Sequence, residues 1–105
     1  MAWIYLVLAG VLEVVWAYSM KQSAGFTRLL PSLVTLTTMA GSFWLLSIAM
    51  RTIPLGTAYT IWTGIGAVGA FLIGITLLGE PVSTLRLVAV SLIVSGLVLM
   101  KLSSP

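Results

Sequence analysis

Four stretches of this chain are apolar over about the 20 residues that a helix needs to cross a hydrocarbon core about 30 Å thick, at about 1.5 Å per residue. They lie at about 2–20, 30–50, 55–79 and 84–102 of the 105 residues. The second and third carry no charge, and the first carries only Glu13. In the fourth only 87–100 is free of charge, so it reaches full length if Arg86 and Lys101 extend their head groups toward the membrane surfaces. The connectors are short: 21–28 turns around Gly25, 51–54 ends in Pro54, and Gly79-Glu80-Pro81 sets a helix stop before a proline. The expected fold is therefore an all-α membrane protein, one domain over 1–105. Its four transmembrane helices are expected to run up-down-up-down, with both termini on one side, because short loops keep successive helices adjacent and antiparallel.

Composition excludes most other classes. Only 7% of residues are charged and 60% are hydrophobic, whereas a water-facing domain spends about a quarter of its residues on charge. The five cations are scattered singly, unlike the basic face of a nucleic-acid binder. With no Cys and no His there is no thiol chemistry, no disulfide and no imidazole relay, and no metal or other cofactor is expected. An enzyme is the least expected class, since no nucleophile and base pair is visible. The first segment has no basic residue before its apolar run, and Glu13 interrupts that run, so it reads as a retained helix rather than a cleaved signal.

Orientation is weakly specified. Lys21, Arg28 and Arg86 fall on the side of the first and third loops, and Arg51 and Lys101 on the side of the termini. A Lys/Arg excess sets which way a bundle inserts. An excess of one residue predicts insertion both ways up, although small membrane proteins with few charges also insert in a single orientation.

Within the spans, Glu13 is the residue that most demands a use, because a charged group at such depth costs roughly 2.5 to 3.5 kcal/mol. It is read as an ion or proton site; the alternative is a carboxyl kept neutral by a bond between helices. Gly10 and Ala17 lie on its helical stripe and Trp16 beside it. In the third span Tyr59 and Trp62 share a face that suits an organic cation. Gly64 and Gly66 permit a bend, and Gly66, Ala70 and Gly74 form a ladder for close helix contact. Thr35, Thr38 and Ser42 share a broad face of the second span, with Ser42 the deepest. Such hydroxyls commonly bond to their own backbone. On the fourth span Ala89 and Gly96 form a small stripe that reads as an association surface.

Four helices cannot readily enclose a pathway and still pack their interior, so a homodimer in membrane lipid is the economical assembly. Two Glu13 side chains would then approach one cavity, and protons and a cation would compete for them. If insertion occurs both ways up, the dimer is antiparallel and becomes an inverted repeat, the recurring design for alternating access.

The motif Gly56-Thr57-Ala58-Tyr59-x-x-Trp62-x-Gly64-x-Gly66, with Glu13 in a four-span chain, resembles the small multidrug resistance transporters over essentially its whole length. Leu12-Glu13-Val14-Val15-Trp16-Ala17 and Trp62-Thr63-Gly64-Ile65-Gly66-Ala67 are similar to the guanidinium-exporter branch. The resemblance implies a proton-coupled antiporter for guanidinium, assembled as an antiparallel homodimer in the bacterial inner membrane. It implies that Glu13 binds substrate or proton, that Ser42, Trp16 and Trp62 hydrogen-bond and orient Glu13, and that Tyr59 lines and gates the site. Gly10 would leave room for the cation, and Gly64 and Gly66 would be the bending point. Thr60 stands where that branch commonly has Ala, which makes it a selectivity candidate toward larger cations. The alternatives are a broader exporter of quaternary ammonium or other hydrophobic cations, a channel, and a non-transporting structural or regulatory membrane subunit.

Overall fold

A computed structural model describes residues 1–103. It contains four helices: α1 (Ala2–Gln22), α2 (Leu29–Ala49), α3 (Leu55–Thr76) and α4 (Thr84–Leu102). Each is long and apolar enough to cross a membrane. Helices suit that solvent because they satisfy their own backbone groups, and hydrocarbon offers no substitute for a missing hydrogen bond.

The third helix stops sooner than expected. It ends at Thr76, not at Gly79. The amides of Leu77 and Leu78 still bond to Ile73, but Gly79 takes a positive φ of 67°, which turns the chain. Glu80 then bonds back through its amide to the carbonyl of Gly74 at 2.9 Å. Next, Ser83 opens α4 by accepting the amide of Arg86 on its hydroxyl at 3.2 Å.

The first loop is tighter than its single glycine suggests. Ala24, Gly25 and Phe26 all have positive φ, a conformation that disfavours the two with side chains. Ser23, fully buried, holds the turn: its hydroxyl donates to the carbonyl of Met20 at 2.7 Å and accepts the amide of Phe26 at 3.0 Å.

Helix α1 is the centre of the bundle, packed against both α2 and α3. The core consists of Leu6 and Ala9 of α1, Leu46 and Ala49 of α2, Ile53, and Ala58, Ile61 and Trp62 of α3. Helix α4 approaches only α3 through its backbone and buries no residue fully. Its ends are tied by cations instead: the Arg86 guanidinium lies 5.3 Å from the Phe71 ring centre, and the Lys101 ammonium 4.3 Å from that of Trp3. Large apolar side chains such as Leu29, Leu36, Leu85 and Leu92 face outward, which is ordinary where the surrounding solvent is lipid.

Candidate functional site

Glu13 sits in the seam between α1 and α3. Small residues let those two helices approach closely. At Gly10 an added methyl would meet Ile65 at 2.6 Å, and at Gly69 it would collide with Val14. At Gly66 it would collide with the carboxyl group of Glu13 itself. Position 66 is thus the floor on which the Glu13 side chain rests. The Oε1 atom of Glu13 is buried and has no hydrogen-bond partner among the described residues.

Ser42 joins three helices. Its hydroxyl donates to the carbonyl of Ala9 at 2.6 Å and accepts the indole N–H of Trp62 at 2.9 Å. By helical geometry the Ala9 carbonyl is the acceptor for the Glu13 amide one turn on, so Ser42 and Trp62 grip α1 directly behind the acid. Thr35 and Thr38 behave differently, bonding to Pro31 and Val34 one turn back on their own helix. Ser42 and Trp62 use their hydrogens on each other and on α1, so in this conformation neither donates to Glu13. The Trp16 indole N–H, also buried, has no partner among the described residues. Its ring meets Phe43 edge-on, with centres 6.3 Å apart.

Phe43 was not legible as a site residue, and it links the aromatics. From Trp16 the series continues through Phe43 to Trp62, 5.7 Å away, and on to Tyr59, 5.5 Å further. Trp62 is 6% exposed and Tyr59 is 53% exposed. The aromatic row therefore runs from beside the acid to the outer surface. Phe43 neighbours Ser42 in an uncharged span, but no spacing within α2 relates it to Trp16 or Trp62.

The glycines do not all open space. Ile65 fills the room above Gly10, and an added methyl at Gly64 would collide with Leu97 of α4, while α3 runs unbroken through Gly64 and Gly66. Thr60 is exposed on a groove of about 500 Å³ between α3 and α4, shared with Tyr59, Gly64, Gly96 and Leu97. Gly96, read from the sequence as belonging to an association surface alone, thus borders the groove of Tyr59 and Thr60. Ala89 is exposed on α4.

The chain matches the family described as Small Multidrug Resistance protein over residues 1–93. It belongs to that family. As a Small Multidrug Resistance protein with four helices of spanning length, it is a multi-pass membrane protein. It is similar to the "Guanidinium exporter" of Salmonella typhimurium strain LT2, 58% identical over 99% of each chain. It is also similar to that of Yersinia pseudotuberculosis, 55% identical over 99% of this chain and 100% of the relative, and to that of Citrobacter freundii, 57% identical over 99% of each.

Changing Ser42 to Ala in this family member would leave the Trp62 indole N–H without its acceptor. That loss is expected to lower stability by about 1–3 kcal/mol, read as a lower unfolding midpoint in detergent together with a change in tryptophan emission. Thr at position 42, which keeps a hydroxyl, is expected to recover most of both.

Proposed function

We propose that this chain exports guanidinium across the bacterial inner membrane in exchange for protons, with the two competing for Glu13. The observation that carries this reading is the buried Glu13 oxygen that no group among the described residues satisfies, set in a membrane-spanning seam at the end of an aromatic row. An unpartnered carboxyl in such surroundings is costly unless it takes up a proton or a cation. Guanidinium suits it: the ion is planar, offers parallel N–H donors to both oxygens of a carboxylate, and stacks on aromatic rings. The names of the relatives support the same substrate.

In this reading the helices run up-down-up-down and two copies inserted in opposite orientations form the working dimer. Its two halves exchange inward- and outward-open shapes around a shared site. Trp16 and Tyr59 contact the cation, Ser42 and Trp62 position α1, and Gly10 keeps the α1 stripe narrow. Gly64 and Gly66 are where α3 bends, and Ala89 and Gly96 serve packing between copies.

In proteoliposomes, an inward-directed proton gradient is expected to drive guanidinium out against its own gradient. Downhill flux that no proton gradient can reverse would indicate a channel and refute exchange. A broader cation range is favoured by one feature, the groove in which Thr60 lies beside Ile93, Leu97 and Met100. If it accepts bulky cations, a quaternary ammonium ion will inhibit guanidinium exchange, and Thr60→Ala will weaken that inhibition several-fold while leaving guanidinium exchange intact.

A further inference from the structure

Further along the α1/α3 seam from Glu13 lies a second carboxylate. Beside the contact of Val14 with Gly69 lies a cavity of about 160 Å³ lined by Val14, Ala17, Tyr18 and Lys21 of α1, Ile73 of α3, and Glu80. The Glu80 carboxyl is pressed against α3 at Gly74, where an added methyl would lie 2.7 Å from its Oε1 and 2.9 Å from its Oε2. Its Oε1 also faces Arg86, 3.5 Å from the guanidinium, and that guanidinium lies 5.3 Å from the centre of the Phe71 ring. The Arg86 and Glu80 side chains are 41% and 43% exposed.

Arg86 is itself a guanidinium, and its surroundings are a carboxylate and an aromatic face. This is the chemistry that suits a free guanidinium ion. The pair is partly exposed and its distance is long, so it is weakly held. The tether favours Arg86 by holding it near Glu80, so a free guanidinium ion takes its place from within the cavity only because the pair is long and partly exposed, and only at a concentration that outweighs the tether. We infer that Glu80 is a loading site for guanidinium-type cations at the end of the seam, with Arg86 as its built-in competitor and Val14 as the partition between this site and Glu13. Lys21 lines the same cavity, and its positive charge disfavours a bound cation, which keeps occupancy brief, as a loading site requires. This inference rests on guanidinium being the transported ion, but its binding test does not depend on transport.

The test uses the full-length Glu13→Gln protein in detergent, where the exchange site is silenced, titrated with guanidinium chloride against sodium chloride at equal ionic strength. Side-chain NMR signals of Arg86 and Tyr18 are expected to shift saturably with guanidinium and not with sodium. Glu80→Gln is expected to abolish the shift of Tyr18, and Arg86→Gln to tighten binding by about three- to tenfold because the competitor is gone. Gly74→Ala keeps the charge but turns the carboxyl out of the cavity, and it is expected to weaken binding as Glu80→Gln does. With Glu13 intact, Glu80→Gln is expected to raise the guanidinium concentration for half-maximal flux a few-fold and leave the maximal flux unchanged. No shift in the Glu13→Gln protein, or a Tyr18 shift that persists in Glu80→Gln, would overturn the inference. If the native protein shows no proton-coupled guanidinium flux but the Glu80-dependent shift is present, the exchange reading fails and the binding site stands.

Discussion

Replacing Glu13 by Gln is expected to abolish proton-coupled guanidinium exchange while leaving the bundle folded. Gln has nearly the same shape as Glu, so the contact with Gly66 is preserved. The buried oxygen remains, but the group can no longer ionise. It therefore cannot neutralise a cation or carry a proton back in its place. The expected result in proteoliposomes is loss of gradient-driven flux to the level of protein-free vesicles, with an unfolding midpoint close to that of the native chain. Binding to the native protein should show the matching linkage. On the acid side of the Glu13 titration, each unit fall in pH should weaken apparent guanidinium affinity by about tenfold, the limit for one proton competing with one cation. The direction follows from competition, since a protonated carboxyl offers no charge to the cation. Calorimetric titration across pH measures this, and a Gln variant that still pumps would sink the exchange mechanism.

The second large effect is expected at Gly66. A Val there puts its β-carbon into the Glu13 carboxyl group and into the carbon that bears it, so the whole side chain must leave the seam or the helices must part. Overpacking of this kind costs about 1–3 kcal/mol. The functional loss is expected to be larger than the stability loss, with flux reduced at least tenfold and the pH dependence of binding altered, because the acid has been moved from its place. Gly69→Ala is the informative comparison, since its added methyl meets Val14 and not the acid. It should destabilise by a similar amount yet keep the pH dependence of guanidinium binding. If the two variants behave alike in both respects, position 66 serves packing alone.

Glu13 and Gly66 also mark how far local reading reaches. A single acid in an otherwise apolar span is visible without any structure, because its transfer cost does not depend on what lies opposite. The glycines at 64 and 66 were visible as well, but their surroundings were not. One accommodates Leu97 and the other the acid itself. Small-residue spacing says that some helix can come close and does not say which one. Ser42 stood out from Thr35 and Thr38 by depth, yet its two partners, Ala9 and Trp62, belong to different helices. Phe43 carries no signal in the sequence because its role depends on rings contributed by α1 and α3. In the sequence Glu80 is visible only as the middle of the Gly79-Glu80-Pro81 stop between two spans, and only the fold places it against Gly74 and Arg86.

What the sequence determined by itself is the solvent, the number of spans, the approximate bounds of each helix and the one acid that must be accounted for. These follow from hydropathy and a fixed rise per residue, both local properties of the chain. The tertiary structure decided which face of each helix turns inward, and with it the floor beneath Glu13, the serine joining three helices and the second carboxylate at the end of the seam. In lipid the outer faces are as apolar as the inner ones, so the polarity contrast that marks the buried side of a helix in water is missing. Register between helices is then set by shape, through which small residue admits which neighbour, and shape is a property of two surfaces together.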